Sequence, residues 1–187
     1  NKESLAAYQI TNTLSTLSFM IAQGIGVAAT ITVSHQFGEK NYSMARNAGF
    51  AATHLAVLFM GTAGIIYILF RGYIPMIFTS DDAVIELTAK MLIISAAFQV
   101  FDATQLSGFA GLRALKDVKI PLLFSTISYY FICLPLSYFF GFILGIGAVG
   151  VWLGLLFGLI LVAIASQYRF HKLTLRLIKN SNESIGD

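Results

Sequence analysis

The charged residues of this chain are confined to short segments that separate long stretches without any charge. Lys, Arg, Asp and Glu are absent from residues 5–38, 47–70 and 120–168, and from 91–112 except for Asp102. A helix of about 20 apolar residues crosses a bilayer core, where it must satisfy its own backbone hydrogen bonds. Hydrophobic residues make up 57% of the chain and charged residues only 11%, which indicates an integral membrane protein rather than a soluble domain.

The last uncharged stretch is long enough for two membrane spans. Glycines between Gly141 and Gly150 divide it, because clustered glycines and small residues mark a turn. We therefore predict an all-α, polytopic transmembrane bundle over residues 1–179, followed by a flexible cytoplasmic tail at 180–187. The five predicted spans are about 5–37, 47–70, 91–112, 121–144 and 148–168.

Basic residues fall mainly on one side of the predicted membrane. Nine of the twelve Lys and Arg residues lie after the first, third or fifth span. The positive-inside rule assigns that side, and with it the C-terminus, to the cytoplasm. No basic run is dense enough to predict nucleic-acid binding, so the expected surroundings are membrane lipid.

Asp102 is an isolated charge inside the third predicted span. It follows Lys90 by twelve residues and precedes Arg113 by eleven, which places it near the bilayer centre. Burying a carboxylate there costs at least about 3 kcal/mol, so such a residue usually faces a cavity, a partner or an ion pathway. A carboxylate in a partly dry cavity can bind a proton, Na⁺ or an organic cation. We predict that Asp102 binds a proton or a cation, with Na⁺ as the candidate metal.

Polar side chains recur on one face of the first and third spans. Ser95, Gln99 and Asp102 stand at i, i+4 and i+7, which places them on one side of a helix. Two interpretations stay open: hydrogen bonds between helices, or the wall of a cavity for an amphipathic substrate. Besides Asp102, the candidate cavity or substrate residues are Gln9, Thr13, Thr16, Ser95, Phe98, Gln99, Gln105 and Tyr129.

Three segments resemble one family of transporters. They are GIGVAATITVSHQFG at 24–38 with Ala45-Arg46, IFTSDDAVI at 77–85, and FQVFD at 98–102 leading to GLRALKDVKIP at 111–121. In this order and spacing they are similar to helices eight to ten, with their loops, of MATE (multidrug and toxic compound extrusion) transporters. The likeness extends over nearly the whole chain and is strongest to the bacterial NorM-type branch.

The resemblance implies a fold, an activity and a missing partner. Members have about twelve helices in two lobes, and the five spans here match helices eight to twelve, so we expect a fragment of the C-terminal lobe. The N-terminal lobe and the seventh helix, which carries a second acidic residue of the cation site, would be supplied by the rest of the transporter. Of that site only the tenth-helix aspartate carries over, onto Asp102, so the resemblance implies that Asp102 binds the coupling ion. The implied activity is antiport of organic, often cationic, compounds against Na⁺ or H⁺ across the bacterial inner membrane, with no cofactor besides the coupling ion.

Other functional classes fit the sequence less well. A flippase for lipid-linked substrates of the same fold superfamily would need cationic side chains inside the spans to hold phosphate. A non-transporting structural subunit would leave Asp102 without a role. An enzyme is not expected, because one aspartate without a second acid, a metal-ligand cluster or an activated serine does not form a catalytic site.

Overall fold

The protein folds into a bundle of long helices, as the uncharged stretches predict. The computed structural model describes residues 2–186, with side chains through Glu183. Each of the five helices is long and apolar enough to cross a membrane, and the described residues contain no β-strand. The all-α class and the number of spans are therefore confirmed. The helices are α1 (Lys2–Gly38), α2 (Tyr42–Leu69), α3 (Asp82–Ala114), α4 (Lys119–Ile143) and α5 (Ala148–Gly186).

Polar side chains fix where two of these helices begin. The Asn41 side chain accepts a hydrogen bond from the backbone N–H of Met44 at the start of α2. Asp81 accepts from the N–H groups of Ala83 and Val84 at the start of α3. These caps satisfy backbone donors that the first helical turn leaves unpaired. Both lie outside the uncharged stretches, so the helices begin before the apolar residues that span the membrane.

Helix α3 occupies the centre of the bundle and packs against α1, α2 and α5. Its buried residues include Met91, Ala96 and Gly108, which point to different sides of the helix rather than along one stripe. A helix buried on several sides needs no strong apolar stripe, because it has no face turned wholly to the surroundings. Asp102 is therefore carried by the most enclosed helix of the bundle.

Interactions at one end of the bundle join the loops that carry most basic residues. Arg46 of α2 donates from Nη2 to Nδ1 of His171 in α5 at 3.1 Å. Arg169 of α5 forms an ion pair with Asp117, in the loop between α3 and α4. These contacts place the α1–α2 loop, the α3–α4 loop and the later turns of α5 at the same end, in agreement with the sidedness assumed from the charge pattern.

Helix α4 is the least regular of the five. It contains two stretches of wider π-helical turn, Ser128–Cys133 and Phe139–Ile143, on either side of Pro135. A proline in a helix removes one backbone donor and its ring crowds the carbonyl of the preceding turn. The wide turn just before Pro135 gives that ring room. After α4 the chain reverses through Gly145 and Gly147, both at φ +67°, a conformation that side chains rarely adopt.

Three glycines of α5 allow close packing of α4, a role that the sequence analysis did not identify. Gly150, Gly154 and Gly158 recur every four residues and form one ridge of small residues. A Cβ at Gly154 would lie 2.3 Å from the backbone nitrogen of Ser137. The Ser137 hydroxyl donates to the carbonyl of Val151 across the same contact, at 3.1 Å. Such ridges let backbones approach closely where burial in lipid provides no driving force.

The C-terminal segment is helical. Helix α5 continues without interruption through Gly186 and so includes residues 180–186 of the segment that we expected to be a flexible cytoplasmic tail. The flexibility of this segment stays a prediction. Lys179 and Glu183 stand one turn apart and form an exposed ion pair at 3.8 Å, which gives modest support to the extra helical turns.

The glycine ridge generates a stability prediction. Gly154→Ala should destabilise the protein by about 2 kcal/mol, because the added methyl group collides with backbone rather than with a movable side chain. The measurement is the unfolding temperature of the full-length protein in detergent. Gly61→Ala in α2 is the matched control, since nothing lies within 4 Å of the Cβ it would add. An equal effect of the two substitutions would contradict close packing at Gly154.

Candidate functional site

A cavity of about 340 Å³ lies between α1, α3 and α5 and contains Asp102. Its polar lining comes from Asn12, Ser15 and Thr16 of α1 and from Gln99 of α3. The other lining residues are Tyr8, Phe19, Phe98, Trp152 and Leu155. The cavity thus combines one carboxylate, several neutral oxygen atoms and an aromatic wall, the usual composition of a site for small organic molecules.

The aromatic wall is built around Trp152 of α5. Its ring meets Phe98 edge-on at a centroid distance of 5.1 Å and Tyr8 at 6.1 Å. Edge-to-face contacts of this kind fix ring orientations beyond what apolar burial alone achieves. Trp152 is 7% exposed. The wall therefore holds its shape through contacts among three helices rather than through one flexible side chain.

The Asp102 carboxylate is uncompensated. No hydrogen bond or ion pair reaches it from the part of the chain that the structure describes. No Lys, Arg or His is found among the described residues that line the cavity. A charge left unpaired in an apolar setting attracts a cation or takes up a proton, since either removes the cost of the isolated charge.

Two further buried polar atoms at the cavity lack partners. Oε1 of Gln99 and Nε1 of Trp152 make no hydrogen bond within the described residues. An unpaired buried donor or acceptor costs about 1–3 kcal/mol, so native structures rarely keep one without a ligand, a water or a mobile partner. Two residues of the cavity lining thus each carry a buried polar atom without a partner: an acceptor on Gln99 and a donor on Trp152.

Four of the nine predicted site residues line this cavity: Thr16, Phe98, Gln99 and Asp102. Ser95 lies behind the wall, where its hydroxyl is 2.7 Å from that of Ser15. The remaining four are not brought to the cavity. Gln9 and Thr13 are exposed, and Tyr129 donates instead to Oε1 of Gln105 at 3.1 Å in a contact between α4 and α3.

The cavity face of α1 is offset from the polar row that the sequence suggested. The lining row runs through Tyr8, Asn12, Ser15 and Phe19, at spacings of four, three and four. The predicted row began one residue later, at Gln9, which turns the face by about 100°. Two of the lining residues are aromatic, so a search for polar side chains did not mark them. The polar residues Asn12 and Ser15 are the sequence feature from which this face could have been identified.

The comparisons with known proteins decide the family. The family model MatE matches residues 1–139. The chain belongs to the MatE family. This confirms the resemblance stated above, and membership in a family of transporters confirms that the chain is not an enzyme.

Curated MatE relatives match almost the whole chain. The probable multidrug resistance protein NorM of Rhodopseudomonas palustris is 40% identical over 175 residues, which cover 91% of this chain and 37% of the relative. The multidrug resistance protein NorM of Burkholderia vietnamiensis is 38% identical over 180 residues, which cover 94% of this chain and 39% of the relative. The chain therefore spans about two fifths of the length of these relatives.

Solved MATE structures share the fold. A eukaryotic MATE transporter superposes with a TM-score of 0.84 at 18% identity, over 96% of this chain and 41% of the transporter. An outward-facing multidrug resistance MATE family transporter superposes with a TM-score of 0.84 at 20% identity, over 95% of this chain and 40% of that transporter. The helix arrangement of this MatE chain is thus that of one part of a larger transporter fold.

The unpaired amide of Gln99 generates a second stability prediction. Gln99→Leu should leave the unfolding temperature unchanged or raise it, because a buried acceptor without a partner is replaced by an apolar group. Gln105→Leu, in the same helix, is the control. It removes the partner of the Tyr129 hydroxyl and should destabilise by about 1 kcal/mol. A larger decrease in the unfolding temperature for Gln99→Leu than for Gln105→Leu would mean that the Gln99 amide is hydrogen-bonded within the protein.

Proposed function

We propose that this chain forms the greater part of the C-terminal lobe of a multidrug efflux antiporter in the bacterial inner membrane. The protein would export amphipathic organic cations while Na⁺ or H⁺ moves inward. One observation carries the proposal. Asp102, an uncompensated carboxylate on a membrane-spanning helix, faces a partly open cavity with an aromatic wall. The names of the MatE relatives, which are multidrug resistance proteins, support the substrate class.

A single negative charge is enough to couple the binding of one cation to the release of another. When a proton or Na⁺ neutralises Asp102, the cavity loses the charge that attracts an organic cation, so each ligand weakens the binding of the other. Exchange on the two sides of the membrane then requires the cavity to open alternately. In transporters of this architecture two lobes rock about a central site, and this chain would be one of the two moving bodies.

The lining of the cavity suits both partners of the exchange. Sodium is a hard cation that oxygen atoms bind, and neutral oxygens of Asn12, Ser15 and Thr16 line the cavity with Asp102. A proton needs the carboxylate alone. The organic cation would place its apolar part against Phe98 and Trp152, whose ring faces also attract positive charge.

The exposed polar row of α1 supports a second lobe as the partner. Gln9, Thr13 and Gln23 are exposed on the bundle. Within the described part of the chain, the hydroxyl of Thr13 bonds only back to the carbonyl of Gln9, one turn earlier. Facing lipid, the amides of Gln9 and Gln23 would lack hydrogen-bond partners, which is costly in a bilayer. We propose that this row faces the N-terminal lobe, and that the end of the bundle with Arg46 and Arg169 faces the cytoplasm.

The antiporter fits the cavity better than the two alternatives. A flippase for lipid-linked phosphates needs cationic groups at its substrate site, whereas the lining here has one carboxylate and no cation among the described residues. A structural subunit would not need a charged side chain held without partners in an apolar span.

The test of the proposal is Asp102→Asn in the full-length transporter. The substitution keeps the size and hydrogen-bonding capacity of the side chain but removes its titratable charge. We expect dye efflux driven by an imposed Na⁺ or pH gradient to fall to the uncoupled background in proteoliposomes of matched protein content. Abundance and insertion should stay near the wild-type level, because an amide is less costly to bury than a carboxylate.

Asp81→Asn is the matched control on the same helix. Asparagine caps a helix as well as aspartate does, so this variant should transport like the wild type. Coupled efflux at the wild-type rate by Asp102→Asn would reduce Asp102 to a packing residue and would contradict the proposal.

A further inference from the structure

A second cavity, which lies along the later turns of α5, combines a row of cations with an apolar wall. This groove of about 500 Å³ lies between the first turns of α4 and the later turns of α5. Ile120 and Phe124 of α4 form the apolar wall. The α5 side carries three cations, Arg169, Lys172 and Arg176. No acidic residue lines the groove among the residues that the structure describes.

The three cations form one row at the edge of the membrane-spanning segment. Their spacings of three and four place them on the same face of α5. Tyr168, which also lines the groove, is the last residue of the charge-free stretch that begins at Ile120. Tyrosine favours the membrane interface. The row therefore begins at the depth where lipid phosphates lie, with the apolar wall directly next to it.

The first cation of the row is held in position. Nε of Arg169 donates to Oδ2 of Asp117, whose side chain is only 15% exposed. Its terminal Nη groups make no bond within the described residues, and arginine presents donors in a fixed fork that matches phosphate oxygens. Lys172 stands 6.0 Å from the ring of Tyr168. Asp117 balances one of the three charges, so the groove keeps a surplus of two positive charges.

We infer that this groove binds an anionic phospholipid. The phosphate lies against Arg169, Lys172 and Arg176, and an acyl chain runs along Ile120 and Phe124. Basic pockets between transmembrane helices recognise lipid headgroups in this way. A soluble phosphate compound would use only the cationic half of the groove, whereas a lipid also covers the apolar half. The inference does not depend on Asp102 or on the transported compound, since the two cavities share no residue.

The test uses delipidated full-length protein and native mass spectrometry in detergent. With dioleoylphosphatidylglycerol added, we expect one tightly bound lipid per chain, and weaker binding of dioleoylphosphatidylcholine. Lys172→Gln/Arg176→Gln should weaken the phosphatidylglycerol affinity roughly 25-fold, because each cation near the membrane surface contributes about fivefold. Both side chains are exposed, so the fold should persist, and Lys172→Arg/Arg176→Lys should retain the lipid.

A charge-matched variant separates a site from general attraction. Arg113→Gln/Lys179→Gln also removes one Arg and one Lys from the same end of the bundle, outside the groove, and should keep the bound lipid. The inference would be overturned if the two double variants lost phosphatidylglycerol affinity equally. It would also be overturned if the protein did not prefer phosphatidylglycerol to phosphatidylcholine. Displacement of the lipid by glycerol 3-phosphate at equal concentration would overturn it as well, because that result would make the groove a soluble-phosphate site.

Discussion

The enclosure of α3 by three other helices is the constraint on which the site depends. A carboxylate on a helix that faced lipid would move toward the interface or lose its charge. Here α1, α2 and α5 surround α3, so Asp102 opens onto a protein-lined cavity instead. The Gln167 amide of α5 helps to maintain this arrangement by donating to the carbonyl of Thr104 at 2.9 Å and to the Thr53 hydroxyl at 3.1 Å. The hydrogen bonds of this one side chain thereby connect α2, α3 and α5.

Helix α4 stands outside this group and connects to it mainly through α5. Its close contact rests on the small-residue ridge of α5, and two stretches of π-helical turn interrupt its regular hydrogen bonding. Wide turns of this kind are common at functional sites and allow local rearrangement. The groove that we assign to a lipid lies at the regular, first turns of α4. A bound lipid there would join α4 to α5 at the end where the glycine ridge does not reach.

The spans were predictable because the physics that sets them is additive along the chain. Each apolar residue favours the bilayer and each charge opposes it, so residues 91–112 mark a span without knowledge of their neighbours. Asp102 stood out for the same reason. The glycine row at 150, 154 and 158 was also present in the sequence, but its partner, Ser137, is known only once α4 is placed.

The cavity face could not be read from the sequence in the same way. Which side of α1 meets α3 depends on tertiary packing, and α1 carries polar residues on two neighbouring rows, one with Asn12 and Ser15 and the other with Gln9 and Thr13. Polarity marks both rows equally. Trp152 was missed for a different reason. A tryptophan in an apolar span is more often a packing residue or an interfacial anchor than part of a cavity wall.

Competition between ions and an organic cation tests the central claim most directly. The measurement is the Kd of the fluorescent cation ethidium for the purified full-length protein, taken over a range of Na⁺ concentrations and pH values. If Asp102 holds both ligands in turn, the Kd should rise about 5- to 150-fold as Na⁺ or H⁺ occupies the site. Asp102→Asn should bind ethidium weakly and without that dependence. An ion dependence that persists unchanged in Asp102→Asn would contradict the claim that this carboxylate couples the two cations.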